Sequence, residues 1–154
     1  IYENFLGRIT HLSFRNQIDY IPQDSDAVPV YERFYLGGNS FRGFRYRTVS
    51  PKGIANDTGL PSDDPIGGTW SYIFTAEINH PLYEDFIRGV AFMDLGTVTD
   101  NPGFEDLRLS VGVGLRLSVA QFSQVPLAFD FGFPILREDT DRERVFSFTL
   151  DIPF

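Results

Sequence analysis

Between residues 107 and 119 every odd position is apolar and every even one is polar or glycine. Leu107, Leu109, Val111, Val113, Leu115, Leu117 and Val119 alternate with Arg108, Ser110, Gly112, Gly114, Arg116 and Ser118. Successive side chains of a strand point to opposite faces, so this run reads as one strand with an apolar face and a polar face. A helix would scatter both sets around its circumference. The split recurs at 125–135, where Val125, Leu127, Phe129, Phe131, Phe133 and Ile135 oppose Pro126, Ala128, Asp130, Gly132 and Pro134. It recurs again at the C-terminus, where Phe146, Phe148, Leu150, Ile152 and Phe154 oppose Ser147, Thr149, Asp151 and Pro153.

Three earlier segments alternate less cleanly: 6–20, with Leu12, Phe14, Ile18 and Tyr20 on one face; 69–80, with Trp70, Tyr72, Phe74 and Ile78; and 87–98. In the second, Ser71, Thr75, Glu77 and Asn79 share the polar face. In the third, Val90 and Phe92 fall in phase with Asp94, so either parity is defensible, and Asp94 is assigned to the polar side. The count is therefore six strands. Short links such as Asp100-Asn101-Pro102-Gly103 and Asp139-Thr140-Asp141 suit an antiparallel meander. The interval 21–67 is too long for a structureless hairpin connection, and loops of that length are usually functional or disordered. Tyr31, Phe34, Tyr35, Phe41, Phe44 and Tyr46 favour order, as a packed cluster within the loop.

Such strands suit two surroundings. A soluble sandwich buries the apolar faces against each other, and an outer-membrane barrel turns them to lipid. Strands of about 11 to 13 residues match the roughly 9 to 11 that cross a bilayer and exceed the usual five or six or so of soluble sheets. Their polar faces carry Arg, Asp, Ser and Gly, the filling of a wet lumen, and aromatic residues gather near strand ends at Trp70, Tyr72, Tyr83, Phe86, Phe122, Phe146 and Phe154. These details favour lipid. No stretch nears the roughly 18 to 20 apolar residues of a spanning helix. Six strands do not close a barrel, for which about eight is the small common number, and open edges cannot face lipid. Either two strands are missed in this count or the chain is the C-terminal part of a larger barrel. Ile1 at the start and the lack of a leader mark a processed product or a piece of something longer, which agrees with the second.

Composition excludes other classes. The formal charge of −8 argues against nucleic acid as a partner. The absence of cysteine removes disulfides, thiolate zinc sites and cysteine nucleophiles. His11 and His80 lie on different predicted strands and read as ordinary polar residues. Gly112 and Gly114 sit inside an alternating strand, where glycine eases curvature, so they are no phosphate cradle. The acids at Asp57, Asp63 and Asp64, and at Glu138, Asp139, Asp141 and Glu143, have no regular calcium-ligand spacing and read as solvated loop charges. Asn56-Asp57-Thr58 matches a glycosylation acceptor, a pattern short enough to arise by chance. No cofactor, metal or bond-making step is expected.

The most specific stretch is Glu32-Arg33-Phe34-Tyr35-Leu36-Gly37-Gly38-Asn39-Ser40-Phe41-Arg42-Gly43-Phe44. It resembles the sixth-loop motif of the BamA superfamily of outer-membrane assembly and secretion barrels, an aromatic approach and Gly-Gly followed by V-R-G-F or V-R-G-Y, with Phe41 in place of the valine. The resemblance continues through Gly67-Gly68, Ala76-Glu77-Ile78 and Pro81-Leu82. It extends over the strand Phe92 to Val98, the strand Val111 to Arg116, Phe133-Pro134-Ile135 and the terminal Phe154.

The resemblance implies an all-β fold, the last six or so strands of a sixteen-stranded antiparallel transmembrane β-barrel in the bacterial outer membrane, with residues 1–154 as its C-terminal portion. Loop 21–67 would fold into the lumen and 145–154 would be the closing strand. It implies that Arg42, next to Gly43 and Phe44, pairs with Glu77 and Asp94, and that function lies in a seam at Phe148, Leu150, Ile152, Pro153 and Phe154. A family-type terminal strand also carries a glycine, and none occurs between Val145 and Phe154. The implied partners are client outer-membrane proteins, outer-membrane lipid, periplasmic domains upstream and accessory lipoproteins. Three readings stay open here: an insertase, a polypeptide-secretion pore of the same superfamily, and a soluble β-sandwich binding module.

Overall fold

The computed structural model describes residues 2–3, 9–54, 59, 61–83, 86–118 and 127–150. Their strands are β1 (Tyr2–Glu3), β2 (Ile9–Tyr20), β3 (Gly43–Phe44), β4 (Lys52–Ile54), β5 (Pro61–Pro65), β6 (Trp70–Tyr83), β7 (Ile87–Thr99), β8 (Arg108–Leu117), β9 (Leu127–Leu136), β10 (Glu143–Arg144) and β11 (Phe146–Leu150). The main sheet runs β1-β2-β6-β7-β8-β9-β11, antiparallel throughout. The six predicted strands are β2, β6, β7, β8, β9 and β11, a meander whose one long connection is the loop between β2 and β6. Among the described residues the sheet does not close on itself. Ile152, Pro153 and Phe154 of the predicted closing strand lie outside the described residues, as does the acidic position Asp57.

The two faces of the sheet have opposite chemistry, and polar residues take the covered one. Ser110, Arg116, Asp130, Asp94 and Ser147 are buried, whereas Phe14, Val113, Phe133, Ile135, Phe148 and Leu150 are exposed. A water-soluble sandwich would invert this, because an apolar face stripped of water is its driving force. The inverted pattern is what a barrel wall between lipid and a filled lumen requires. No helix among the described residues is long and apolar enough to cross a membrane, which is no bar to a protein that crosses with strands.

The ambiguous strand β7 is settled by what covers it. Val90, Phe92 and Asp94 all point to the inner face and are buried there, so that face is partly apolar where the loop lies on it. The loop has its own core: Leu36, Phe41, Phe44 and Val49 pack on Ile73 of β6 and Val98 of β7, with Phe34 against them. Three of the six aromatics expected in that cluster, Tyr31, Tyr35 and Tyr46, are not in it. Tyr31 and Tyr46 are largely exposed, their rings displaced to the surface of the loop.

Candidate functional site

The loop returns to the wall at Phe41-Arg42-Gly43-Phe44. Phe41 and Phe44 are fully buried, their ring centroids 5.1 Å apart, and they fix the backbone on either side of Arg42. The Arg42 guanidinium grips Asp94 of β7 with two nitrogens, Nε at 2.9 Å from Oδ2 and Nη2 at 3.0 Å from Oδ1. Its third nitrogen, Nη1, reaches Glu77 Oε2 of β6 at 2.8 Å. The backbone amide of Arg42 also donates to Asp94, and Ser110 Oγ of β8 donates to the Arg42 carbonyl at 2.5 Å. Beneath the guanidinium lies the Phe92 ring, its centroid 3.4 Å from Cζ. Forked hydrogen bonds and the stack are both properties of a planar cation that lysine lacks. Burial alone would lower the Arg42 pKa, but Asp94 and Glu77 outweigh it and raise the group above its ordinary value.

Glycines make room for this arrangement. Gly43 has φ of 92°, a left-handed conformation that side chains resist, and it presses on the wall glycine Gly132 of β9. At Gly112 a side chain would overlap the Phe92 ring, so the Gly112 position on β8 permits the stack under Arg42. Gly112 and Gly114, read above as easing curvature, are in the fold also the spaces that side chains of neighbouring strands occupy.

A second set of ions binds the loop to the hairpin between β9 and β11. Residues 43–44 pair with 144–143 as the short β3-β10 ladder, which Arg45 extends by donating its amide to the Arg142 carbonyl at 2.8 Å. Thr48 Oγ1 accepts from the Arg142 amide. Below this ladder Arg108 of β8 meets Asp141 at 2.8 Å and Glu138 at 2.7 Å, and Lys52 lies 3.9 Å from the other Asp141 oxygen while donating to the Thr48 carbonyl. Burial lowers the Lys52 pKa, with Arg108 adding to it and Asp141 opposing it. Burial raises that of Glu138 despite Arg108. The acids of this hairpin are thus not all solvated loop charges: Asp141 is buried and paired with cations of this chain. Sequence reasoning missed the pairing because nothing local to 137–145 reveals that Arg108 and Lys52 converge on it.

The remaining predicted positions are simply placed. Phe148 and Leu150 are exposed on the outer face of β11, while His80 Nδ1 lies 2.9 Å from Thr10 Oγ1 and His11 is exposed.

A sheet with lipid-suited outer faces and a long loop ion-paired to its inner wall defines a class, the loop-filled β-barrels of the bacterial outer membrane. Residues 4–154 match the Omp85 superfamily domain, and the chain belongs to that superfamily. It is 33% identical over 123 residues to the outer membrane protein assembly factor BamA of Nitratidesulfovibrio vulgaris, an alignment covering 76% of this chain and 14% of that protein. Its structure is similar to that of BamA from Haemophilus ducreyi lacking POTRA domains 1–3, with a TM-score of 0.77 and 25% identity over 94% of this chain and 31% of that one. The chain therefore spans a minor part of the length of both. It is a bacterial outer-membrane barrel protein, and the soluble sandwich reading falls with that assignment.

Proposed function

We propose that this chain forms the closing side of an insertase, which folds client barrel proteins and releases them into the outer membrane through a lateral seam. The observation that carries the reading is the position of β11. It pairs with β9 only along Phe146–Leu150 among the described residues, and its other edge has no partner among them. Backbone groups on such an edge must be paired before they meet hydrocarbon. The first strand of the completed barrel or a strand of a client fills that requirement equally well, by strand addition. In this reading Arg42, Gly43, Phe44, Glu77 and Asp94 lock the loop to the wall while the seam at Phe148, Leu150, Ile152, Pro153 and Phe154 works. Clients, lipid, periplasmic domains and accessory lipoproteins supply the rest, and no covalent step is involved.

The test uses the full-length protein in liposomes, with one cysteine at Thr149 and its mate on the strand that faces β11. Oxidation is expected to stop client insertion while the barrel stays folded, and reduction to restore it. Undiminished insertion with the seam locked overturns the reading. Passage of unfolded polypeptide into the liposome without insertion supports the secretion pore instead.

A further inference from the structure

Arg42 is not the only arginine on Glu77. Arg116 of β8 points to the inner face, buried, with Nη1 at 2.7 Å from Asp130 Oδ1 of β9 and Nη2 at 3.7 Å from Glu77 Oε2. That Glu77 oxygen is the one that receives Arg42 Nη1. The charges therefore form a continuous line across four strands and the loop: Asp94, Arg42, Glu77, Arg116, Asp130. Space for the far end comes from Gly114, which stands opposite Asp130 in the ladder. A side chain there would collide with the Asp130 carboxylate and the Arg116 guanidinium.

Glu77 is the weak link of this line. Its side chain keeps 22% of its exposure, against 2% for Asp94, and Arg42 reaches it through one nitrogen rather than two. A carboxylate open to the trench is free to turn towards water unless a second charge holds it. We infer that Arg116, held by Asp130, is a positioning residue that keeps Glu77 aimed at Arg42, so that the two arginines lock the loop as one unit. The inference rests on the lock proposed above for Arg42. Because the 3.7 Å separation is that of an ion pair and not of a hydrogen bond, the effect depends on charge more than on fork geometry.

The experiment places a spin label on the loop of the full-length protein at Asn39→Cys, an exposed position near Arg42 in a chain with no cysteine of its own. Arg42→Gln is expected to enlarge the mobile component of the spectrum. Arg116→Gln is expected to enlarge it several-fold in the parent and to add nothing in the Arg42→Gln background, since coupled residues are non-additive. Arg116→Lys, which keeps the charge, is expected to stay near the parent and guards against a variant that merely fails to fold. The exchange Arg116→Asp with Asp130→Arg restores a brace between β8 and β9 but sets a negative charge beside Glu77, and the label is expected to stay mobile. Restored immobility in the exchange, or an Arg116→Gln loop as still as the parent's while Arg42→Gln frees it, overturns the inference alone. A label that Arg42→Gln leaves immobile overturns the lock and the inference with it.

Discussion

Gly132 lies directly under the backbone of Gly43. A Cβ at Gly132 would stand 2.6 Å from the Gly43 nitrogen, and one at Gly43 would stand 3.3 Å from the Gly132 carbonyl carbon. The loop thus touches the wall main chain to main chain, at the point where the short β3-β10 ladder ties it to the hairpin that leads into β11. Gly132→Val suits a strand better by intrinsic preference, yet it has no room. Overpacking of this kind costs about 1 to 3 kcal/mol. The expected outcome is a lower unfolding temperature of the full-length barrel in detergent and faster proteolysis of the loop. A Gly132→Val protein with an unchanged loop would mean that the contact is slack.

Arg42→Ala removes the cation from the buried Asp94 and the partly buried Glu77, and breaking a buried pair by deleting one partner costs about 3 to 5 kcal/mol. The arginines just beyond the motif are held differently. Arg45 contributes an amide, which alanine retains, and its side chain is exposed. Arg47 stacks on the Tyr35 ring at 4.1 Å with φ of 62°, so Arg47→Ala forfeits about 0.5 to 1 kcal/mol. The expected order of thermal loss is Arg42 first, Arg47 next and Arg45 last. Equal losses from all three would transfer the holding of the loop to its aromatic core.

The faces of β8, β9 and β11 were legible because each run alternates without a break, so a slip of one residue would have turned every apolar side chain inward. The parity of β7 was harder, since Phe92 is inward for a reason outside its own strand: it is the surface on which Arg42 lies. Arg116 and Asp130 were placed on polar faces, but their pairing was invisible until the register set Gly114 opposite Asp130. A bare glycine between in-phase opposite charges on neighbouring strands is the signal that would have found them. The β3-β10 ladder had no signal at all, because two-residue pairings between loops carry no periodicity.

The hairpin between β9 and β11 should respond to pH through Glu138. Its folded pKa is raised above the ordinary 4.5 by burial first, with Asp106 and Asp141 adding to it and Arg108 opposing. The folded hairpin therefore binds more protons than the opened one just above pH 4.5. Its stability is fully present below that value and declines as pH rises through the raised pKa. Since the carboxylate is 44% exposed, the effect is small and local. Hydrogen exchange of the amides of 138–143 in the full-length protein is expected to speed up more than intrinsic exchange does over that window. Glu138→Gln is expected to flatten the excess, and an identical excess in that variant would assign it to another group.

The last prediction compares one charge on the two faces of β11. Phe148 is outward and exposed, whereas Thr149 lines the inner trench beside Asp130 and Arg116. Arginine on the lipid face of a barrel costs about 2 to 4 kcal/mol at the bilayer midplane and less near the interfaces. Phe148→Arg also loses the Phe129 ring, whose centroid is 5.1 Å away. Thr149→Arg meets a different neighbourhood, where Glu77, Asp94 and Asp130 line the trench and water replaces hydrocarbon. The two substitutions are adjacent in sequence and identical in charge, so backbone propensity and net charge cancel in the comparison. Phe148→Arg is expected to lower the yield of heat-resistant folded barrel in lipid bilayers, and Thr149→Arg to leave most of it. Equal yields would mean that β11 does not present these faces to lipid and lumen, and the seam proposed along its edge would lose its basis.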